Sequence, residues 1–79
     1  MTTLLRLPTV VERTGLSRAS VYLHVAEGMM TMPVKIGERS AAWPESEIEA
    51  INAARVAGKD KFEIKTLVRA LHRQRTASN

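Results

Sequence analysis

The apolar and polar positions at the start of the chain predict two short helices joined by a tight turn. Pro8 suits a first helical position, and Gly15 supplies the left-handed backbone that ends a helix. Ser17 follows as an N-cap for a second helix over residues 18–27, which Gly28 closes. Val10 and Val11 are the expected inward residues of the first helix.

The second helix divides into an inward and an outward face. Val21 and Val25 lie four residues apart and point inward, with Leu23 and Ala26 expected beside them. The first turns of this helix therefore present polar and small side chains away from the core, namely Arg18, Ala19, Ser20 and Tyr22.

The apolar period changes from helical spacing to two after Gly28. Val34 and Ile36 point to one side and Lys35 to the other, residues 37–40 form a turn, and residues 41–43 return as a partner strand. The sequence thus predicts a two-stranded hairpin, a wing, over residues 34–43.

Two further helices follow the hairpin. The first has an acidic start at Glu45, Glu47 and Glu49, an inward stripe with Ile48 and Ile51, and an end at Gly58. The second runs from Lys61 to about Arg75, is capped by Asp60 with Glu63, and frays from residue 76 onward. Its apolar stripe falls at i, i+3, i+4 and i+7: Ile64, Leu67, Val68 and Leu71.

Composition narrows the function classes. The 79 residues include three aromatic side chains and no cysteine, which allows one small core and excludes thiolate metal sites, disulfides and cysteine nucleophiles. No apolar run approaches the length of a membrane span, and the start of the chain does not resemble a secretory signal. We expect a cytoplasmic protein that acts as a binding module.

Charge separates the two ends of the chain. The net charge is +4, and residues 1–58 contain six basic and six acidic side chains, so the excess belongs entirely to residues 59–79. A basic segment of this kind suits a polyanion, although a solvated helix face gives the same pattern. We therefore divide the chain into a domain at 1–57 and a basic C-terminal helix with a frayed tail at 58–79.

Several short sequence words, in a specific order and spacing, resemble the AlpA family of phage and prophage regulators. They are Leu5-Arg6-Leu7-Pro8, Thr14-Gly15-Leu16-Ser17-Arg18, Val21-Tyr22, Ala26-Glu27-Gly28, Pro33-Val34-Lys35-Ile36-Gly37, Arg39 and Trp43-Pro44-Glu45-Ser46-Glu47-Ile48. The resemblance covers about residues 4–55. It implies a mainly α fold, a small winged helix-turn-helix related to the MerR-type domain and to phage excisionases, with no enzyme activity and no cofactor.

The helix after Ser17 is the predicted DNA-reading element. Arg18 is placed to contact guanine O6 and N7 in a major groove, and Ser17 combines an N-cap with a potential phosphate contact. Ala19 and Ser20 share the presented face. For Tyr22, contact with DNA and half-buried packing both stay open.

Three other cations are candidates for the DNA backbone. Lys35 and Arg39 flank the hairpin turn, where they suit phosphates or a minor groove, while protection of a strand edge is the alternative for Lys35. Arg13, at the end of the first helix, suits either a phosphate or the C-terminus of its own helix.

The sequence does not support base stacking by Trp43, metal binding or catalysis. Trp43 is expected in the core rather than stacked on bases, and His24 and His72 lack the spacing and partners of a metal site. No glycine-rich phosphate loop and no Ser, His and Asp set suggests catalysis. We predict no catalytic residues and no metal.

The resulting hypothesis is a sequence-specific double-stranded DNA-binding regulator of phage or mobile-element genes. One alternative is an excisionase-like factor that bends DNA, and another, of a different class, is a protein-interaction adaptor that binds no nucleic acid. The apolar stripe of the last helix either folds onto the domain or pairs with a second copy to form a homodimer.

Overall fold

A computed structural model describes residues 3–77 as four helices and a small sheet. In chain order the elements are β1 (Leu4–Arg6), α1 (Leu7–Thr14), α2 (Arg18–Ala26), β2 (Val34–Lys35), β3 (Ala41–Pro44), α3 (Glu45–Val56) and α4 (Lys61–Ala77). The predicted mainly α fold with a wing is confirmed. The last helix continues through residues 76 and 77, where fraying was expected, and Ser78 and Asn79 lie outside the described residues.

The sheet has one strand more than the predicted hairpin. Its order is β1-β3-β2 and all pairing is antiparallel, so β3 lies in the centre. The β2–β3 hairpin is the predicted wing, with Val34 opposite Ala42. β1 adds to the other edge, where Leu5 lies opposite Trp43. β1 was not predicted because it has only three residues, which is too short for an alternation of apolar and polar side chains to be recognised, and because its partner strand is remote in sequence.

The turn between α1 and α2 has the predicted caps. Gly15 adopts a left-handed conformation with φ of 74°, and its N–H donates to the carbonyl of Val11 at 2.9 Å. Ser17 Oγ accepts from the backbone N–H of Ser20 at 3.1 Å, which starts α2. α2 ends at Ala26, one residue before the predicted end, and Gly28 follows with φ of 78°. These caps fix the angle at which α2 leaves α1.

Trp43 occupies the centre of the core. Its side chain is fully buried, and its indole Nε1–H donates to the carbonyl of Thr31 at 2.7 Å. Around it lies a cluster of buried apolar side chains from β1, from every helix and from the segment after α2: Leu5, Val10, Val21, Met29, Met30, Ile48, Ile51, Ile64, Val68 and Leu71. The expectation that Trp43 is a core residue is confirmed.

α4 folds back onto α3. Asp60 Oδ1 accepts from the N–H of Glu63 at 2.8 Å and so caps the helix as predicted. From the apolar stripe, Ile64, Val68 and Leu71 are buried in the same cluster as the rest of the core. The sequence left open whether this stripe folds onto the domain or pairs with a second copy, and the structure shows that it packs within the chain. The functional division between residues 57 and 58 stays a prediction.

An ion pair joins the end of α4 to the start of α3. Arg75 donates from Nε and Nη2 to the two carboxylate oxygens of Glu47, at 2.8 and 2.6 Å, and Nη2 also donates to the carbonyl of Met32 at 2.7 Å. The Glu47 side chain is only 7% exposed. The guanidinium of Arg75 is therefore not left for a polyanion, as the basic charge of residues 59–79 suggested, and its pairing with Glu47 of the acidic helix start was not predicted.

A second polar contact joins α2 to α3. The guanidinium of Arg55 lies 2.5 Å from Nδ1 of His24. A guanidinium can only donate, so Nδ1 accepts and the imidazole is neutral. Burial lowers the pKa of His24 below its ordinary value of 6.5, and the charges of Arg55 and Lys61 lower it further against an opposing effect of Glu27.

Replacing Arg75 with alanine should destabilise the fold. The change leaves the Glu47 carboxylate buried without its bidentate partner, and we expect a loss of about 2 to 3 kcal/mol in the free energy of unfolding. Urea denaturation followed by circular dichroism measures it. The matched control is Arg73→Ala, an exposed cation on the same helix, which should change stability by less than about 0.5 kcal/mol. Equal effects of the two variants would contradict this role of the ion pair.

The His24 contact should make stability depend on pH in one direction. Because the pKa of His24 is lower in the folded state, its contribution to stability is present above the ordinary pKa of 6.5 and is lost as the pH falls. We expect the free energy of unfolding to fall between about pH 7.5 and about pH 5. His24→Asn, whose amide oxygen can still accept from Arg55, should lose less stability over that range. An unchanged pH profile in this variant would refute the assignment.

Candidate nucleic-acid interface

The first turn of α2 is open to solvent. Arg18 and Ala19 are exposed, and Ser20 is partly buried beside the Ser17 cap. No acidic residue lies in this turn. The positive end of the helix dipole and the Arg18 guanidinium therefore act together on the same surface.

The two serines of this turn bond to each other. Besides accepting from the Ser20 N–H, Ser17 Oγ donates to Ser20 Oγ at 3.0 Å. The Ser17 hydroxyl is thus occupied by helix capping. An anion at this position would be held by the free backbone amides of the first turn and by the Ser20 hydroxyl, whose proton the bond to Ser17 does not use.

Tyr22 connects the α2 surface to the wing. Its side chain is 48% exposed, and its ring lies 6.2 Å from the Trp43 ring, centroid to centroid, at an interplanar angle of 60°. Because Trp43 lies in β3, this contact fixes α2 against the hairpin. Packing, one of the two roles left open for Tyr22, is therefore present, and half of the side chain still faces solvent.

The tip of the wing carries charges of both signs. Lys35 and Arg39 are exposed on either side of the turn, which the Ile36 N–H closes by donating to the carbonyl of Ser40 at 3.0 Å. Glu38 is exposed in the same turn. The tip thus keeps one net positive charge, and the carboxylate of Glu38 opposes the effect of its neighbours on any phosphate.

Arg13 has an acidic partner. Its Nη1 donates to Oε2 of Glu45 at 2.9 Å, and both side chains are partly exposed. Its backbone carbonyl accepts from Asn52 Nδ2 at 3.0 Å, so α3 caps the end of α1. Exposed pairs of this kind contribute little energy, so a phosphate can exchange with Glu45 as the partner of Arg13.

Leu23 and Ala26 are the residues of α2 whose exposure the sequence analysis missed, since both were expected beside the inward face and both are exposed. Leu23 is the larger of the two, and its side chain is 55% exposed. The reason is its angular position: at about 100° per residue, Leu23 lies about 140° from Arg18 and on the same open arc. A helical wheel centred on buried Val21 predicts the exposure of Leu23.

Both histidines have polar partners within the fold. Within residues 3–77 there is no group of three His, Asp or Glu side chains that could hold a metal ion. His24 contacts Arg55, whereas His72 Nε2 accepts from the backbone N–H of Met32 at 3.0 Å. None of the helices in this part of the chain is long and apolar enough to cross a membrane.

Comparisons with known proteins point to one family. The family model described as "Prophage CP4-57 regulatory protein (AlpA)" matches residues 3–55, which hold β1 to β3, α1, α2 and nearly all of α3. Uncharacterized protein ORF88 of Enterobacteria phage P4 is 37% identical over 57 residues, which are 72% of this chain and 65% of that protein. The match thus spans just under two thirds of the relative, and no solved structure gave a significant match.

The family match confirms the resemblance carried by residues 4–55, and it includes the helix-turn-helix and the wing. α4 and its exposed basic side chains lie outside it. Since the model matches well over half of the sequence, the chain belongs to the AlpA family of prophage regulatory proteins.

Proposed function

We propose that the chain binds double-stranded DNA and regulates the transcription of phage or mobile-element genes. In this proposal the first turns of α2 enter the major groove and the wing lies on the adjacent backbone. The observation that carries it is the open N-terminal turn of α2, where Arg18 is exposed and the same turn contains no acidic residue. The family membership supports the regulatory part.

The dimensions of α2 suit this role. An α-helix with its side chains is about as wide as the major groove of B-form DNA, so a helix held by one face can insert the other. The buried side chain of Val21 holds α2 against the core, and Tyr22, although it belongs to the open side, also contacts Trp43. The cap at Ser17 keeps its N-terminus rigid and defined.

Base contacts and backbone contacts fall on different residues. Arg18 is proposed to read guanine through its two parallel N–H donors. The rest of the α2 surface, Ser17, Ala19, Ser20 and Tyr22, is proposed to follow the groove and the nearest phosphates. Lys35, Arg39 and Arg13 are proposed to hold the flanking backbone, which positions the helix without reading sequence.

The wing cations should set the salt dependence of binding. Lys35→Ala and Arg39→Ala should weaken binding to every duplex and reduce the slope of log K against log salt by about one each, because each phosphate contact releases counterion. Glu38→Gln should have the opposite effect on affinity. Fluorescence anisotropy over a salt series measures both.

The control for the wing variants is Lys59→Ala, which removes the same charge from an exposed residue at the start of α4 that pairs with Glu63. We expect its salt slope to match that of the parent protein. If the wing variants behave like this control, the wing does not contact the backbone.

Arg18→Ala should reduce sequence preference more than total binding. The loss of a bidentate guanine contact corresponds to about tenfold or more in discrimination between the selected site and a scrambled duplex. Anisotropy titrations with both duplexes measure the ratio. If the parent protein binds neither duplex at low salt, the DNA-binding proposal fails and the adaptor alternative gains support.

A further inference from the structure

The open arc of α2 is mostly apolar. Its five exposed members span about 140° of the helix at about 100° per residue: Arg18, Ala19, Tyr22, Leu23 and Ala26. Only Arg18 and Tyr22 carry side-chain hydrogen-bonding groups. The other three present carbon alone, so hydrogen bonding accounts for only part of what this surface can recognise.

Leu23 is the largest apolar group on this arc. At 55% exposure it leaves most of an isobutyl group in water, where an apolar partner would stabilise it. The major groove offers one apolar group among the base edges, the 5-methyl group of thymine. Ala19, one turn earlier on the same side, is small enough to let a base edge approach Leu23.

We propose that Leu23, together with Ala19, determines specificity for thymine by contacting its 5-methyl group. This inference rests on the proposed DNA-binding function and adds a second kind of readout to it. Leu23 lies five residues after Arg18, which is about 7.5 Å along the helix axis at 1.5 Å per residue. The thymine is therefore expected about two base pairs from the guanine that Arg18 reads, given about 3.4 Å per base pair.

The charge of the surface favours DNA over an apolar protein groove as the occupant. The arc holds one cation and no carboxylate, and the wing, whose central strand contacts α2 through Trp43 and Tyr22, carries the exposed cations Lys35 and Arg39. Glu27, the nearest acidic residue on this helix, caps the opposite end from Arg18. A partner with phosphates flanking a methyl group matches this distribution of charge and apolar surface.

The experiment removes the methyl group from the DNA. Duplexes bound by the full chain are selected from a random pool, and each thymine of the selected site is replaced in turn by uracil, which lacks only the 5-methyl group. We expect one replacement to weaken binding about fourfold, the factor for burial of one methyl-sized group. The other replacements should have no effect.

Variants assign the effect to Leu23. Leu23→Ala should bind the thymine and uracil duplexes equally. Leu23→Met keeps an apolar side chain of similar length, so this variant should retain the preference for thymine. Its retained preference would show that a substitution at this position leaves the fold intact. Arg18→Ala should bind more weakly but keep the ratio between thymine and uracil. The matched control is Val56→Ala on α3, an apolar truncation at a side chain that is 89% exposed, and it should behave as the parent protein.

The outcomes separate this inference from the function on which it rests. A selected site without thymine near the guanine, or equal binding of all uracil duplexes by the parent protein, overturns the role of Leu23 and leaves DNA binding intact. A Leu23→Ala variant that keeps the preference also overturns it. If no duplex is selected, and a peptide or protein partner is captured through this surface instead, both proposals fail together.

Discussion

The burial of one indole ring holds the whole molecule together. Trp43 lies on the central strand, opposite Leu5 of β1, and its N–H is bonded to the carbonyl of Thr31 in the segment between α2 and the wing. Its ring touches Tyr22 of α2, and α3 begins just after its strand. The position of α2 relative to the wing is therefore a consequence of how Trp43 is packed.

α4 completes this core. Its apolar stripe covers α3, and its C-terminal half reaches the loop before the wing through His72 and Arg75, both bonded to the backbone of Met32. The family match ends before this helix. We interpret α4 as a support that this chain uses to stabilise a shared helix-turn-helix and wing, while Lys65, Arg69 and Arg73 stay exposed on its outer face.

Local signals predicted the helices well because each boundary is set by residues close in sequence. The helix boundaries predicted from Gly15, Ser17 and Asp60 are correct, since a capping residue bonds only to the backbone of the adjacent helical turn. Long-range partners were not predictable. β1 depends on a strand far along the chain, and the pairing of Arg75 with Glu47 depends on how α4 crosses α3. In the candidate site, the exposure of Arg18 followed from its position at the helix start, but that of Leu23 required the true direction of the inward face.

The contact between Tyr22 and Trp43 also gives the molecule an internal optical reporter. The chain has one tyrosine and one tryptophan, and they touch across the junction of α2 with β3. Transfer of excitation energy from the phenol to the indole falls steeply as the two rings separate, so it is most efficient while this junction is closed. The emission of the native protein thus senses the alignment of its reading helix with its wing, with no label attached.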